Sequence, residues 1–286
     1  MIRLSAFADE ISADIDEQIS VLQSEGIHFL DLRSMWGTNV LDLSDEQVQT
    51  IKETLDKHGI GVAAIGSPIG KVAIDGSFRE HLQRFLHAIE LAKVFQTPFI
   101  RVFSFYPPPK TETEVTKMTD EDDTDDEWRN EALKRLYIMT AHAREAGITL
   151  LHENEKGIYG DTIAHCVDIQ STINDPHLQA AFDPANFIQC GQTPYPDAYN
   201  ALHQWLRYVH VKDTRADGSV VAAGEGAAHW PELLERLRLD GYDGFFSLEP
   251  HLAAAGQFQG FSGPDLFKRA SQALQKMLRV MQWEYA

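Results

Sequence analysis

Short apolar runs alternate with amphipathic stretches along the whole chain. Eight runs read as strands: RLSAFA (3–8), IHFLDLR (27–33), GVAAIG (61–66), PFIRVFSF (98–105), ITLLHE (148–153), LQAAFD (178–183), LRYVHVK (206–212) and GFFSLEP (244–250). Between them, apolar residues recur at three- and four-residue spacing, as on one face of a helix. Leu82, Phe85, Leu86, Ile89 and Leu91 form such a stripe before the fourth run, and Leu133, Leu136, Tyr137 and Met139 another before the fifth. The last stretch predicts a helix packed on the core by Leu266, Phe267, Ala270, Leu274, Met277 and Met281.

Punctuation supports these boundaries. Ser44 with Gln47 three residues on, and Asp45 and Glu46 between them, is a capping-box signature. HGI (58–60), AGI (146–148) and DGY (240–242) each place a glycine where a left-handed residue ends a helix. Repeated strand–helix units without a composition break predict one domain over 1–286 built on a parallel sheet. Eight units predict closure into a (β/α)8 TIM barrel. An open doubly wound sheet would carry a glycine-rich phosphate loop after its first strand, and DEISADID stands there instead. One segment breaks the rhythm. Residues 106–132 are proline-rich and then strongly acidic, which predicts a flexible insertion on the rim after strand four.

Composition narrows the partners. With 25 basic and 43 acidic residues the net charge is −18, which repels nucleic acid and anionic membrane. Cys166 and Cys190 form no CxxC pair, so a reduced, cytoplasmic setting is expected. The N-terminus MIRLSAFADEIS lacks the apolar stretch of a signal peptide. No apolar run approaches the ~20 residues of a membrane span.

Four of the last strands end in a potential metal ligand: Glu153, Asp183, His210 and Glu249, separated by 30, 27 and 39 residues. A barrel brings the C-terminal ends of its strands around one mouth, so residues this far apart can meet on one ion. Three carboxylates and an imidazole suit a divalent metal such as Mn²⁺, Mg²⁺, Co²⁺ or Zn²⁺. Each residue alone has an ordinary explanation, as a helix cap, a turn or a core histidine. One per strand over four successive strands does not. Around them, His152, Lys156, Asn186, Lys212, Asp213 and Arg215 are the expected substrate-binding groups. Arg33 and Lys71 would extend a positive rim suited to a phosphate, and the AAGEGAAHW loop (222–230) offers backbone N–H groups to an anion.

These motifs make the chain resemble the sugar phosphate isomerase/epimerase group of the xylose-isomerase-like TIM barrels. The resemblance rests on FADEI, HEN, FDPAN, HVKD, the AGEG loop with Trp230, and SLEPH, and it spans essentially the whole chain. It implies one divalent ion held by Glu153, Asp183, His210 and Glu249, with Glu153 and Glu249 as acid and base through a metal-bound enediolate. The chain departs from ketose epimerases of the group in two places. Asn186 stands where they carry a histidine, and Ala216 stands where they carry an arginine, with Arg215 beside it. The expected substrate is a sugar, polyol or sugar phosphate. An inosose- or dehydroshikimate-type dehydratase on the same barrel is the alternative. An abasic-site endonuclease would need more histidines and a basic face. A sugar-binding barrel without turnover would have no use for an intact ligand set. Such barrels often form homo-oligomers, and nothing in the sequence fixes the state.

Overall fold

The computed structural model describes residues 1–109, 124–256 and 259–286. Eight strands form one parallel sheet: β1 (Arg3–Ala6), β2 (Phe29–Leu32), β3 (Gly61–Ile65), β4 (Phe99–Val102), β5 (Thr149–Glu153), β6 (Leu178–Phe182), β7 (Leu206–Val211) and β8 (Phe245–Leu248). Their order is β1-β8-β7-β6-β5-β4-β3-β2, so the sheet curls until β1 and β2 lie side by side in a nearly closed (β/α)8 barrel. Every expected strand is present, each trimmed by a residue or more at one or both ends.

The connecting helices are α1 (Ile15–Ser24), α2 (Asp45–His58), α3 (Phe78–Val94), α4 (Thr124–Glu145), α5 (Ile163–Ile173), α6 (Pro184–Gln189), α7 (Tyr199–Leu202), α8 (Trp230–Leu239) and α9 (Pro264–Val280). Ser44 caps α2 in a full capping box with Gln47, and Gly59 ends that helix at φ 67°. No helix among the described residues is long and apolar enough to cross a membrane. Both cysteines are free thiols.

The helical stripes hold with local corrections. Tyr137 is 60% exposed, because it falls one position off the buried face of Leu133, Leu136 and Met139. On α9 the buried apolar line runs Phe267, Ala270, Leu274 and Leu278, while Leu266, Met277 and Met281 sit half-buried at its edge. The expected 106–132 loop ends earlier than its acidity suggests. Residues 124–132 belong to α4, and residues 110–123 lie outside those described. In the aromatic 258–261 stretch, 258 also lies outside them, and Phe261 is 45% exposed.

Two layers fill the space between sheet and site. Phe99, Leu151, Ala181, Tyr208 and Phe245 pack inside the barrel. Above part of that layer Asp31 is fully enclosed, accepting hydrogen bonds from the hydroxyls of Ser5, Ser247 and Tyr208. The loop after β3 approaches β4 very closely: a Cβ on Gly70 would lie 2.0 Å from the Phe103 carbonyl oxygen. Gly70 N–H donates to His81 Nε2 of α3 at 3.0 Å.

That acceptor must be neutral. Burial, then Arg135 and Arg84, push the His81 pKa down to about 4. An unfolded histidine titrates near 6.5, so the unfolded chain binds the proton first. Stability from this residue is intact above about pH 6.5 and falls as pH drops toward 4, by up to ~1.4 kcal/mol per pH unit. Urea unfolding between pH 7 and 4 should show a shallower loss for His81→Gln than for the parent. Equal slopes would contradict this account.

Candidate metal centre at the barrel mouth

Strand alternation decides which side chains reach the mouth. In β5, Leu151 faces the barrel interior, and Glu153 follows it on the same face. Asp183 follows β6 directly and caps α6, its Oδ1 accepting from the Asn186 N–H at 2.9 Å with Pro184 next to it. His210 lies inside β7, in register with Ser247, and Glu249 follows β8. All four are buried, and one ligand atom from each lies within 4.8 Å of the others.

Fixed partners orient this set. His210 Nδ1 is 3.0 Å from Glu153 Oε1 and 3.7 Å from Glu249 Oε2, and its ring meets Phe7 and Tyr208 edge-on. Asn154 locks β5 to the end of β6 by donating to the Asp183 carbonyl and accepting the Asp183 N–H, both at 2.9 Å. Asn186 Nδ2 donates to Glu153 Oε1 at 3.3 Å and to the Asn154 carbonyl at 2.9 Å. Asn186 therefore touches a proposed ligand directly.

Three cations enter the same pocket. Arg101 Nη1 lies 3.1 Å from Glu153 Oε2 and 3.5 Å from Glu249 Oε1. Arg33 Nη1 lies 2.9 Å from Glu249 Oε1, and its Nε donates to Asp9 at 2.8 Å. Lys212 Nζ lies 2.8 Å from Asp183 Oδ2 and 3.8 Å from Glu249 Oε2. The Phe7 ring lies under both guanidinium groups, at 4.8 Å and 4.6 Å. Burial would raise the Glu153 carboxyl, but His210 and Arg101 reverse that and hold it near 2. Glu249 is likewise held well below the usual carboxylate range, by Lys212, His251 and Arg101 against its burial. Asp183 goes the other way. Burial lifts it to about 6, with Lys212 opposing.

The donor set fits a divalent ion. Asp183 Oδ2, His210 Nδ1 and Glu249 Oε2 are buried and make no well-directed hydrogen bond, their near neighbours being the Lys212 ammonium and the opposing charged groups of the same set, so three donor atoms stay grouped where a divalent ion could take them. A second group, Glu10, Glu249 and His251, also brings ligand atoms within 4.8 Å. There Arg33 already contributes a cation, and His251 Nε2 lies 3.0 Å from Glu10 Oε1.

Several expected substrate groups lie elsewhere. His152 alternates outward from Glu153 and is buried under the following loop, where a Cβ on Gly160 would meet its ring at 2.4 Å. It does not face the mouth. Asp213 is fully buried and spends its carboxylate on four backbone N–H groups, those of Thr214, Gly224, Gly226 and Ala228, at 2.8–3.1 Å. The amides expected to receive an external anion thus already hold an internal one. A Cβ on Gly226 would sit 2.2 Å from Asp213 Oδ1, so only glycine permits this approach. Lys156 and Arg215 are exposed and together line a separate rim cleft of about 400 Å³ with Ile188, Gln189 and Thr214. Lys71 pairs with Glu155 at 2.6 Å on the rim.

Sequence reasoning passed over Arg101, Asp9, Glu10, Asn154 and His251 as site residues. Arg101 had a signal: it is the one charged residue in PFIRVFSF, at an inward-facing register. Asp9, Glu10 and His251 come from loops after β1 and β8, where no periodicity points to a shared site.

A family profile described as Xylose isomerase-like TIM barrel matches residues 20–277, and the chain belongs to that family. Solved structures share the fold at low identity. A D-tagatose 3-epimerase-like protein superposes with TM-score 0.75 at 17% identity, covering 98% of each chain. The probable 3-DHS dehydratase AsbF of Bacillus anthracis gives 0.73 at 17%, over 96% of this chain and 99% of that one. The IOLI protein, solved with a zinc atom, gives 0.69 at 16%, over 98% of each. A comparison with curated protein sequences gives no match.

Asp213→Ala removes the acceptor of four amides, of which those of Thr214 and Ala228 are buried. It should cost about 3 kcal/mol or more in urea unfolding, since each orphaned donor costs ~1–3 kcal/mol. Full stability with impaired ligand binding would instead return Asp213 to the substrate groups.

Proposed function

We propose that this protein is a divalent-metal-dependent isomerase or epimerase that moves a proton on a sugar or sugar phosphate. The observation that carries the reading is the pairing of Glu153 and Glu249 across one buried pocket, joined by the Arg101 guanidinium and flanked by Asp183 and His210. Glu153, Asp183, His210 and Glu249 would hold the ion. When bound, Mn²⁺, Mg²⁺, Co²⁺ or Zn²⁺ supplies Lewis acidity that makes a proton next to a carbonyl easier to remove.

The chain's own groups supply the rest. Glu153 and Glu249, both held as carboxylates, are available as bases at Oε atoms on different strands. Return of the proton to the same carbon from the other side gives an epimer, and return to its neighbour gives an isomer. Asn186 fixes Glu153 by donating to Oε1, and Arg33 fixes Glu249 at its Oε1. Arg101 spans both, placing positive charge where an enediolate develops negative charge. Lys212 offers a further donor to substrate oxygens, whereas a phosphate would have to extend into the separate rim cleft to meet Lys156 and Arg215. His152 and Asp213 take no part.

One feature favours a second reading. Three buried cations, Arg33, Arg101 and Lys212, suit a carboxylate-bearing ring as well as a neutral ketose. A dehydratase of the inosose or dehydroshikimate type would use the same proton abstraction and then lose water. The acidic surface, with net charge −18, disfavours nucleic acid as substrate.

The test is solvent exchange. Mn²⁺-loaded protein incubated in D₂O with ketohexoses, sugar phosphates, an inosose and 3-dehydroshikimate should place deuterium next to a carbonyl in one of them. Mass spectrometry separates retained mass from loss of water. Glu153→Gln and Glu249→Gln should each slow exchange by roughly 10²–10⁴-fold. Metal and ligand binding without exchange in any candidate would sink the proposal.

A further inference from the structure

Lys212 occupies an unusual place among the proposed ligands. It follows His210 by two residues and so returns to the same face of the chain, where its ammonium is almost fully buried. Nζ lies 2.8 Å from Asp183 Oδ2 and 3.8 Å from Glu249 Oε2. Glu249 Oε2 also lies 3.7 Å from His210 Nδ1, and apart from these ion contacts neither oxygen has a hydrogen-bond partner among the described residues. The other Asp183 oxygen is committed to the Asn186 and α6 cap. The ammonium therefore draws on the oxygens that a metal at the quartet would need.

We propose that Lys212 competes with the divalent ion for Asp183 and Glu249 and thereby sets the metal affinity of the site. The inference rests on the metal reading above. Two cations so close in a buried pocket repel strongly, so ion entry moves the ammonium off Asp183. A displaced, buried ammonium needs a new acceptor. At the mouth that acceptor is an oxygen of the substrate, so Lys212 becomes a substrate donor once metal is present. Groups that only hold ligands in place for a metal behave oppositely, because their loss weakens binding. The sign of the change separates the two roles.

The measurement is Mn²⁺ affinity of full-length protein by isothermal titration at fixed pH, for the parent, Lys212→Met and Lys212→Arg. Lys212→Met should bind Mn²⁺ at least about tenfold more tightly, with Lys212→Arg near the parent. Its melting temperature without metal should fall, because Asp183 loses its counter-charge, and the rise on adding Mn²⁺ should exceed the parent's. Should Lys212→Met fail to fold, Lys212→Gln takes its place with the same expected gain. Unchanged or weaker affinity in the folded variant, with the parent binding normally, overturns this inference alone. Absence of Mn²⁺ binding in every protein overturns both it and the metal reading.

Discussion

Three carboxylates at the barrel mouth lie in nearly dry protein, and their neighbours are arranged to balance that charge. Ions in such surroundings are costly unless countered at close range. Arg101 counters Glu153 and Glu249 together, Arg33 counters Glu249, and Lys212 counters Asp183. The constraint spreads outward. Arg33 needs Asp9 for its remaining charge, Glu10 pairs with His251, and Phe7 supplies the face on which both guanidiniums rest. The first loop, FADEI, is thus bound into a site whose proposed ligands come from the other half of the chain.

The scaffold leaves little freedom to these groups. Asn154 ties the ends of β5 and β6 together, and Asp213 gathers the amides of the loop before α8. Asn154 thereby fixes the backbone of Asp183, and Asp213 fixes the loop beside the mouth. This division explains why adjacent residues in HEN and HVKD do different work. Glu153 and Asn154 serve the mouth and its frame, while His152 turns outward beneath the next loop.

The barrel was legible because its signals are local and repeated: apolar runs of strand length, helix stripes, and caps such as Ser44 and Gly59. The meeting of Glu153, Asp183, His210 and Glu249 was legible because each lies at or next to the end of a strand, where the topology alone implies convergence. Individual directions were harder. His152 and Asp213 sit at the right height in the barrel, and only strand alternation and loop geometry turn them from the mouth. Arg101 was hidden for the opposite reason, since a guanidinium within an apolar strand resembles a chance interruption until Glu153 and Glu249 are seen on either side. Tyr137 shows the limit of periodicity itself, because one position on a helix separates core from solvent.

Glu153, Asp183, His210 and Glu249 are proposed to close on one ion. The most direct measurement is a crystal structure of Mn²⁺-loaded protein with anomalous scattering recorded for manganese. The account predicts a single strong peak bonded to those four side chains. A peak instead among Glu10, Glu249 and His251, or none at the mouth of a protein that binds Mn²⁺ in solution, would contradict it.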